Sequence, residues 1–361
     1  MKILHTAISL YPGGAEKLLV DSIPIYRQRG IDVDLLLLIG DETPFYKQLK
    51  DRNITIHYFI KGNIKKAYNP FLIFHIIPYL KKYDIIHVHL FPALYWVALA
   101  KRLSRSKIKL IFTEHNTNNK RIIKKGIWRF FDKFVYNEYD RIVSISPEVD
   151  TIIKNHLADK SDKFSIINNG IDISQYRYVS TYDSNNIKDS RIILQVAGFR
   201  EQKDQSTVIR ALQYLPENIV VHFVGDGVTR KQCEQLVHDL NLSNRVSFLG
   251  VRSDVPKLLN SADVIVMSSH WEGFGLAAVE GMAAYKPVVA SDVEGLNEVV
   301  KGAGLLFEKG NEKDLSEIIM SLLNNDEFYK KVAHQCFERA KKYDINTMVD
   351  KYIKLYQEVL N

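Results

Sequence analysis

Two carboxylates, Glu272 and Glu280, stand eight residues apart in the stretch Glu272-Gly273-Phe274-Gly275-Leu276-Ala277-Ala278-Val279-Glu280, shortly after the apolar run Val264–Met267. A short strand, a glycine-bearing turn and a helix in that order bring backbone N–H groups and the positive end of a helix dipole beside a ligand over the strand's carboxyl end. The spacing leaves Glu272 in the turn and Glu280 about one turn into a helix that opens near Leu276. Amides facing an anion, with acids beside hydroxyl pairs, suit a nucleotide diphosphate sugar. A glutamate in a first helical turn also complements the dipole with no ligand present, so this stretch needs company to carry a function.

Three other segments supply it. Leu10-Tyr11-Pro12-Gly13-Gly14-Ala15-Glu16 follows the first strand pattern and precedes a helical one, and paired glycines let backbone approach a ligand closely. Glu16 reads there as a first-turn dipole partner. After an apolar run ending at Ala197 comes Gly198-Phe199-Arg200-Glu201-Gln202-Lys203-Asp204, where cations at a sheet's carboxyl edge can pair two phosphates. His115 closes a β-pattern in Thr113-Glu114-His115, the position at which α/β proteins build their sites. A single histidine, taken alone, is more often structural than catalytic.

Together these segments resemble the retaining glycosyltransferases of family 4, the glycosyl transferases group 1, over nearly the whole chain and most densely from Gly198 to Phe307. The resemblance implies the GT-B fold, two doubly wound Rossmann-like α/β domains with parallel sheets facing a central cleft. It implies that Glu272 approaches the donor sugar, that Gly273, Phe274, Gly275 and Leu276 meet sugar and diphosphate through the turn, and that Glu280 binds the ribose. Gly13 and Gly14 then face the diphosphate from the other domain, and His115 lies close to the transferred sugar. The family's phosphate-binding Lys falls on Lys203. Aligned on that lysine, the family's usual arginine position holds Gly198, so Arg200, two residues on, is the candidate to reach the phosphate instead.

Two superficially suggestive motifs are set aside. Val224-Gly225-Asp226-Gly227 has Arg230 where a dinucleotide fingerprint needs its third glycine, which argues against nicotinamide binding. Asp32-Val33-Asp34 resembles the acidic pair of metal-dependent GT-A enzymes. It precedes the run Leu35 to Ile39, however, and so sits at the amino end of a strand, away from the ligand edge. No other oxygen-rich cluster suggests Mg²⁺ or Mn²⁺. Neither a metal nor a cofactor is therefore expected.

The elements that must position these residues alternate between short β-rich runs and longer helical patterns. Strands are expected at Lys2 to Thr6, Val33 to Ile39, Thr55 to Tyr58, Ile85 to His89, Lys109 to Glu114 and Arg141 to Ser146. The second half has them at Ile192 to Ala197, Val220 to Val224, Val246 to Leu249, Val264 to Ser268 and Val288 to Ala290. At 361 residues the chain exceeds the size of a single core. The turn signal Asn168-Asn169-Gly170 and the polar loop from Ser180 to Ser190 divide it into an acceptor-side domain, 1–172, and a donor-binding domain, 173–344. The one-faced apolar spacing of Met348, Tyr352, Leu355, Tyr356 and Leu360 predicts a last helix over 345–361, which in GT-B proteins packs back on the first domain.

Charge is unevenly divided. Residues 1–180 hold 28 Lys and Arg against 17 Asp and Glu, the remainder 21 against 25, so the basic excess lies in the first half. Such asymmetry points to a polyanionic surface. The mixture of cations with large apolar residues over Lys120 to Phe131, with Lys61, Lys65, Lys66, Lys81 and Lys82, fits an anionic membrane better than a nucleic acid. Only Cys233 and Cys336 are present, consistent with a reducing compartment. The apolar runs near Phe71 to Leu80 and Leu90 to Ala100 are too short to span a bilayer, and Met1 leads straight into a strand pattern. The expected protein is cytoplasmic, possible peripheral contact with the inner face of the membrane included. It transfers sugar from a UDP-linked donor to a cell-surface glycan or lipid-linked acceptor. The alternatives are a GT-B nucleotide-sugar epimerase, a phosphorylase-like enzyme, or a non-catalytic membrane- or glycan-binding protein of the same fold.

Overall fold

The computed structural model describes residues 1–115, 127–176 and 190–361. It divides into two compact units, one of residues 1–170 with 345–361, the other of residues 171–344. Each is a parallel sheet with helices between successive strands.

In the first unit the strands are β1 (Lys2–Ala7), β2 (Asp32–Ile39), β3 (Ile56–Ile60), β4 (Ile85–His89), β5 (Lys109–Glu114), β6 (Arg141–Ser144) and β7 (Phe164–Ile166). They lie in the order β3-β2-β1-β4-β5-β6-β7. The inner strands are buried almost throughout, as in the run Leu35 to Ile39, because helices cover both faces of a parallel sheet and leave no solvent face for polar residues. Asp32 and Asp34 do open β2 at its amino end. Asp34 accepts from Tyr83 Oη at 2.7 Å and lies 3.6 Å from Arg27 Nη2, partners that hold it at the strand entry. The closing helix Ile345–Leu360 belongs to this unit, burying Met348, Tyr352, Leu355 and Tyr356 in the same apolar cluster as Ile23 and Tyr26 of the helix Gly14–Gln28.

The second unit holds β8 (Arg191–Val196), β9 (Ile219–Val224), β10 (Val246–Phe248), β11 (Val264–Met267), β12 (Val288–Ser291) and β13 (Leu305–Phe307), in the order β10-β9-β8-β11-β12-β13. Strand order reverses between β8 and β11, so the chain leaves these two neighbours in opposite directions. A crevice opens at such a point outside the strands' carboxyl ends. β7 and β13, each three residues long, are absent from the sequence expectation, although the equally short β10 is not. The remaining strand boundaries agree to within two residues.

Candidate functional site

In the second unit, the loop after β8 carries Lys203 and the loop after β11 carries Glu272, one on each side of the switch point. Lys203 Nζ donates to Glu272 Oε1, and Ser269 Oγ donates to the same oxygen at 2.9 Å. Glu272 Oε2 has no hydrogen-bond partner among the described residues. Lys203 has three donors, of which Glu272 takes one. The pair thus presents an acceptor and spare ammonium donors, although Glu272 itself is only 7% exposed.

A web of bonds that no motif announces fixes the two loops together. Gln195 Nε2 donates to the Lys203 carbonyl at 3.0 Å and to Ser268 Oγ at 3.1 Å. Ser268 Oγ in turn contacts the carbonyls of Lys203 at 3.0 Å and Asp204 at 2.7 Å. Gln202 Nε2 donates to the Trp271 carbonyl, and the His270 amide donates back to the Gln202 carbonyl, both at 2.8 Å. Ser291 Oγ on β12 anchors the Ser269 carbonyl at 2.6 Å. A polar residue inside a strand looks like a flaw in an apolar pattern. That irregularity at Gln195 was the available signal.

Beyond Glu272 the chain turns through Gly273 and Phe274 into the helix Leu276–Ala283. Phe274 is buried and packs edge-on against Tyr343 at 5.1 Å between centroids, which pins the turn. Gly275 caps the helix at φ +86° and no side chain caps it; the Ala278 amide donates to the Gly275 carbonyl at 2.9 Å, and the Leu276 and Ala277 amides are the first-turn donors left to an anion. Glu280 lies in the second turn, 6% exposed, and accepts from Tyr176 Oη at 2.8 Å.

Arg200 stands between β8 and Lys203. Its Nε lies 3.9 Å from the point a Cβ on Gly198 would occupy, so its side chain passes beside that glycine. It also borders a groove of about 620 Å³ with Arg210, Lys231 and His270. Gly225 and Gly227 have a packing explanation: a Cβ at either would run into the carbonyls of Ala197 and Phe199, so both allow the loop after β9 to lie against the loop after β8.

In the first unit, Gly13 caps the helix Gly14–Gln28 in extended conformation, and the Glu16 carboxylate folds back against it. Glu16 thereby serves the helix end. His115 follows β5 directly, half-buried, and its Nε2 lies 3.1 Å from His89 Nδ1. Burial lowers its pKa to about 4, so it is neutral at pH 7. Its neighbour Glu114 accepts from Tyr136 Oη at 3.0 Å and is structural. His5, His87 and His89 form a buried group with ring nitrogens within 4.8 Å of one another. Both nitrogens of His87 and of His89 are engaged in hydrogen bonds, those of His89 to His5 and His115 and those of His87 to Tyr356 and Thr113.

Of the basic segment Lys120 to Phe131, residues 120–126, Lys124 and Lys125 among them, lie outside the described residues. Among the described residues, Ile64, Tyr68, Phe71 and Phe74 are exposed large hydrophobics in the same stretch as Lys65 and Lys66. No helix among the described residues is long and apolar enough to cross a membrane.

Comparison with known proteins identifies the family and the fold. The sequence model of "Glycosyl transferases group 1" matches residues 181–343 and that of "Glycosyltransferase Family 4" matches residues 12–175. An uncharacterized glycosyltransferase of Methanocaldococcus jannaschii is 32% identical over 342 residues, covering 87% of this chain and 92% of that one. The N-acetylgalactosamine-N,N'-diacetylbacillosaminyl-diphospho-undecaprenol 4-alpha-N-acetylgalactosaminyltransferase of Campylobacter jejuni is 27% identical over 362 residues, covering 93% and 94%. Among solved structures, Anabaena HepE in complex with UDP and glucose superposes with a TM-score of 0.86 at 24% identity, over 99% of this chain and 100% of that one.

Proposed function

Because the chain belongs to the glycosyl transferases group 1, family 4, and has their GT-B fold, we propose that it is a retaining, metal-independent hexosyltransferase that takes its sugar from a UDP-linked donor. The observation that carries the donor site is the juxtaposition of Lys203 and Glu272 at the switch point of the second sheet, beside a helix start with no side-chain cap.

In this reading the second unit binds the donor. Lys203 and the amides from Gly273 to Leu276 neutralise the diphosphate, and Arg200, passing beside Gly198, takes the place of the family's arginine. Glu272 accepts from a sugar hydroxyl through Oε2, and Glu280, steadied by Tyr176, binds the ribose hydroxyls. As the bond to the anomeric carbon breaks, charge grows on the leaving diphosphate, where Lys203, Arg200 and the amides act most strongly. The acceptor hydroxyl attacks from the same face and the departing phosphate takes its proton.

The acceptor is a glycan or a lipid-linked glycan. The Campylobacter relative's diphospho-undecaprenol substrate supports this, as do the exposed Tyr68, Phe71 and Phe74 near Lys65 and Lys66, suited to an anionic bilayer surface. Replacing Lys65 and Lys66 by Glu is expected to weaken retention on anionic vesicles at low salt, and equal retention removes the membrane contact.

The test of function is incubation with UDP-sugars and undecaprenyl-diphosphate glycans, with the anomeric configuration of the product read by NMR. A product keeping the donor's anomeric configuration is expected. An inverted product overturns retention. A free epimerised sugar released without acceptor would replace transfer by epimerisation.

A further inference from the structure

Four histidines of the first unit converge from three adjacent strands: His5 on β1, His87 and His89 on β4, and His115 just past β5. His5 Nδ1 lies 3.0 Å from His89 Nε2, and His89 Nδ1 lies 3.1 Å from His115 Nε2, so three rings form an unbroken line from the core to the half-buried His115. His87 stands beside this line. Its nitrogens are taken by Tyr356 Oη and Thr113 Oγ1, both at 2.7 Å, and Thr113 is held in turn by Tyr352 Oη at 3.0 Å.

Burial keeps the line neutral. It lowers the His5 pKa to about 3 and that of His115 to about 4, and pushes His87 and His89 well down. A neutral imidazole has one N–H and one bare nitrogen, so two bonds through three rings run in one of two directions. If His115 donates inward, His5 is left with an N–H at Nε2. That atom is buried with no hydrogen-bond partner among the described residues, and the Tyr26 ring stands against His5 at 5.4 Å between centroids. Running outward, His5 Nδ1–H donates to His89, His89 Nδ1–H donates to His115, and the unpartnered atom is a bare nitrogen. Orphaned buried N–H groups are the rarer case in folded proteins, which favours the outward direction.

We propose that His5 and His89 are positioning residues that fix His115 as its Nδ1–H tautomer, so that it offers a hydrogen-bond donor and not a base. With Nε2 occupied by His89, the ring reaches a ligand only through Nδ1–H, which suits a hydroxyl or ring oxygen of a sugar. His115 then orients the sugar and takes no proton, in keeping with deprotonation by the leaving diphosphate. That consequence rests on the reading of His115 as a residue beside the transferred sugar. The tautomer does not.

The test is long-range ¹H–¹⁵N correlation on the full chain labelled with ¹⁵N-histidine, without nucleotide, the His115 ring identified by its loss in His115→Gln. A protonated Nδ1 and a bare Nε2 on His115 are expected, and a proton on Nε2 overturns the proposal. In His89→Phe, which removes the donor while keeping a ring, the His115 nitrogens should move toward the averaged shifts of two exchanging tautomers. Unchanged shifts mean that His89 does not fix the tautomer. If that variant does not fold, the native spectrum still decides. A wrong donor assignment leaves both spectra as they are, so the two readings fail separately.

Discussion

At the scale of residues, the pairing of Lys203 with Glu272 decides most. The two side chains are largely buried, and each compensates the other's charge. Replacing Lys203 by Ala removes a charge-assisted bond of about 1.5 to 3 kcal/mol, expected to appear as a roughly ten- to hundredfold loss in donor-dependent turnover. It also leaves Glu272 with only Ser269 to satisfy it, so the single changes Lys203→Ala and Glu272→Ala should not add. A double-mutant cycle in unfolding free energy is expected to give a coupling above about 0.5 kcal/mol, and strictly additive effects would reject the pairing. The sequence put Lys203, Glu272 and Glu280 forward because each belongs to a contiguous motif, and the structure pairs the first two. Gln195 and Ser268 were not put forward, because their roles arise when segments 64 to 73 residues apart in sequence meet, and Ser269 reaches Glu272 only through the fold of its own loop. The histidine line was equally silent: Ile85 to His89 reads as an ordinary buried strand, and only the sheet brings His5 beside His89.

At the scale of elements, the helix Leu276–Ala283 depends on its first residue being preceded by a glycine. Gly275 has φ +86°, and a Cβ there would also strike the Leu296 side chain. Gly310 has φ +76° with open space around it, so it isolates the backbone cost alone. Gly310→Ala should therefore destabilise by about 1 kcal/mol, and Gly275→Ala by more, with weakened nucleotide binding besides. Urea midpoints measure the first difference. Equal midpoints for the two variants would mean that the turn tolerates repacking and does not hold the helix end in place. Sequence located this turn from its two glycines. It did not reveal that Phe274 anchors the turn against Tyr343, a contact 69 residues away along the chain.

At the scale of the whole molecule, alternating strands and helices made both sheets legible, while β7 and β13, at one end of each sheet, were missed. The histidine cluster also gives the chain a pH signature. The pKa values of His5 and His115 lie below the unfolded value near 6.5, so the unfolded chain binds more protons below that pH, and stability falls as pH drops toward about 4. Each buried imidazole contributes roughly 1.4 kcal/mol per pH unit to that slope. Urea midpoints at pH 7.5 and 5.5 should show the lower stability at 5.5, and a flat or opposite trend would mean that the rings are protonated at little cost. The central claim is that a nucleotide diphosphate is held in the second unit by Lys203 and the helix start beside Glu272. Calorimetric titration of the full chain and its Lys203→Ala variant with UDP, GDP and ADP tests it most directly. The account predicts saturable binding of UDP, weakened about ten- to hundredfold by the substitution. No binding of any of the three, or equal affinity in the variant, would contradict it.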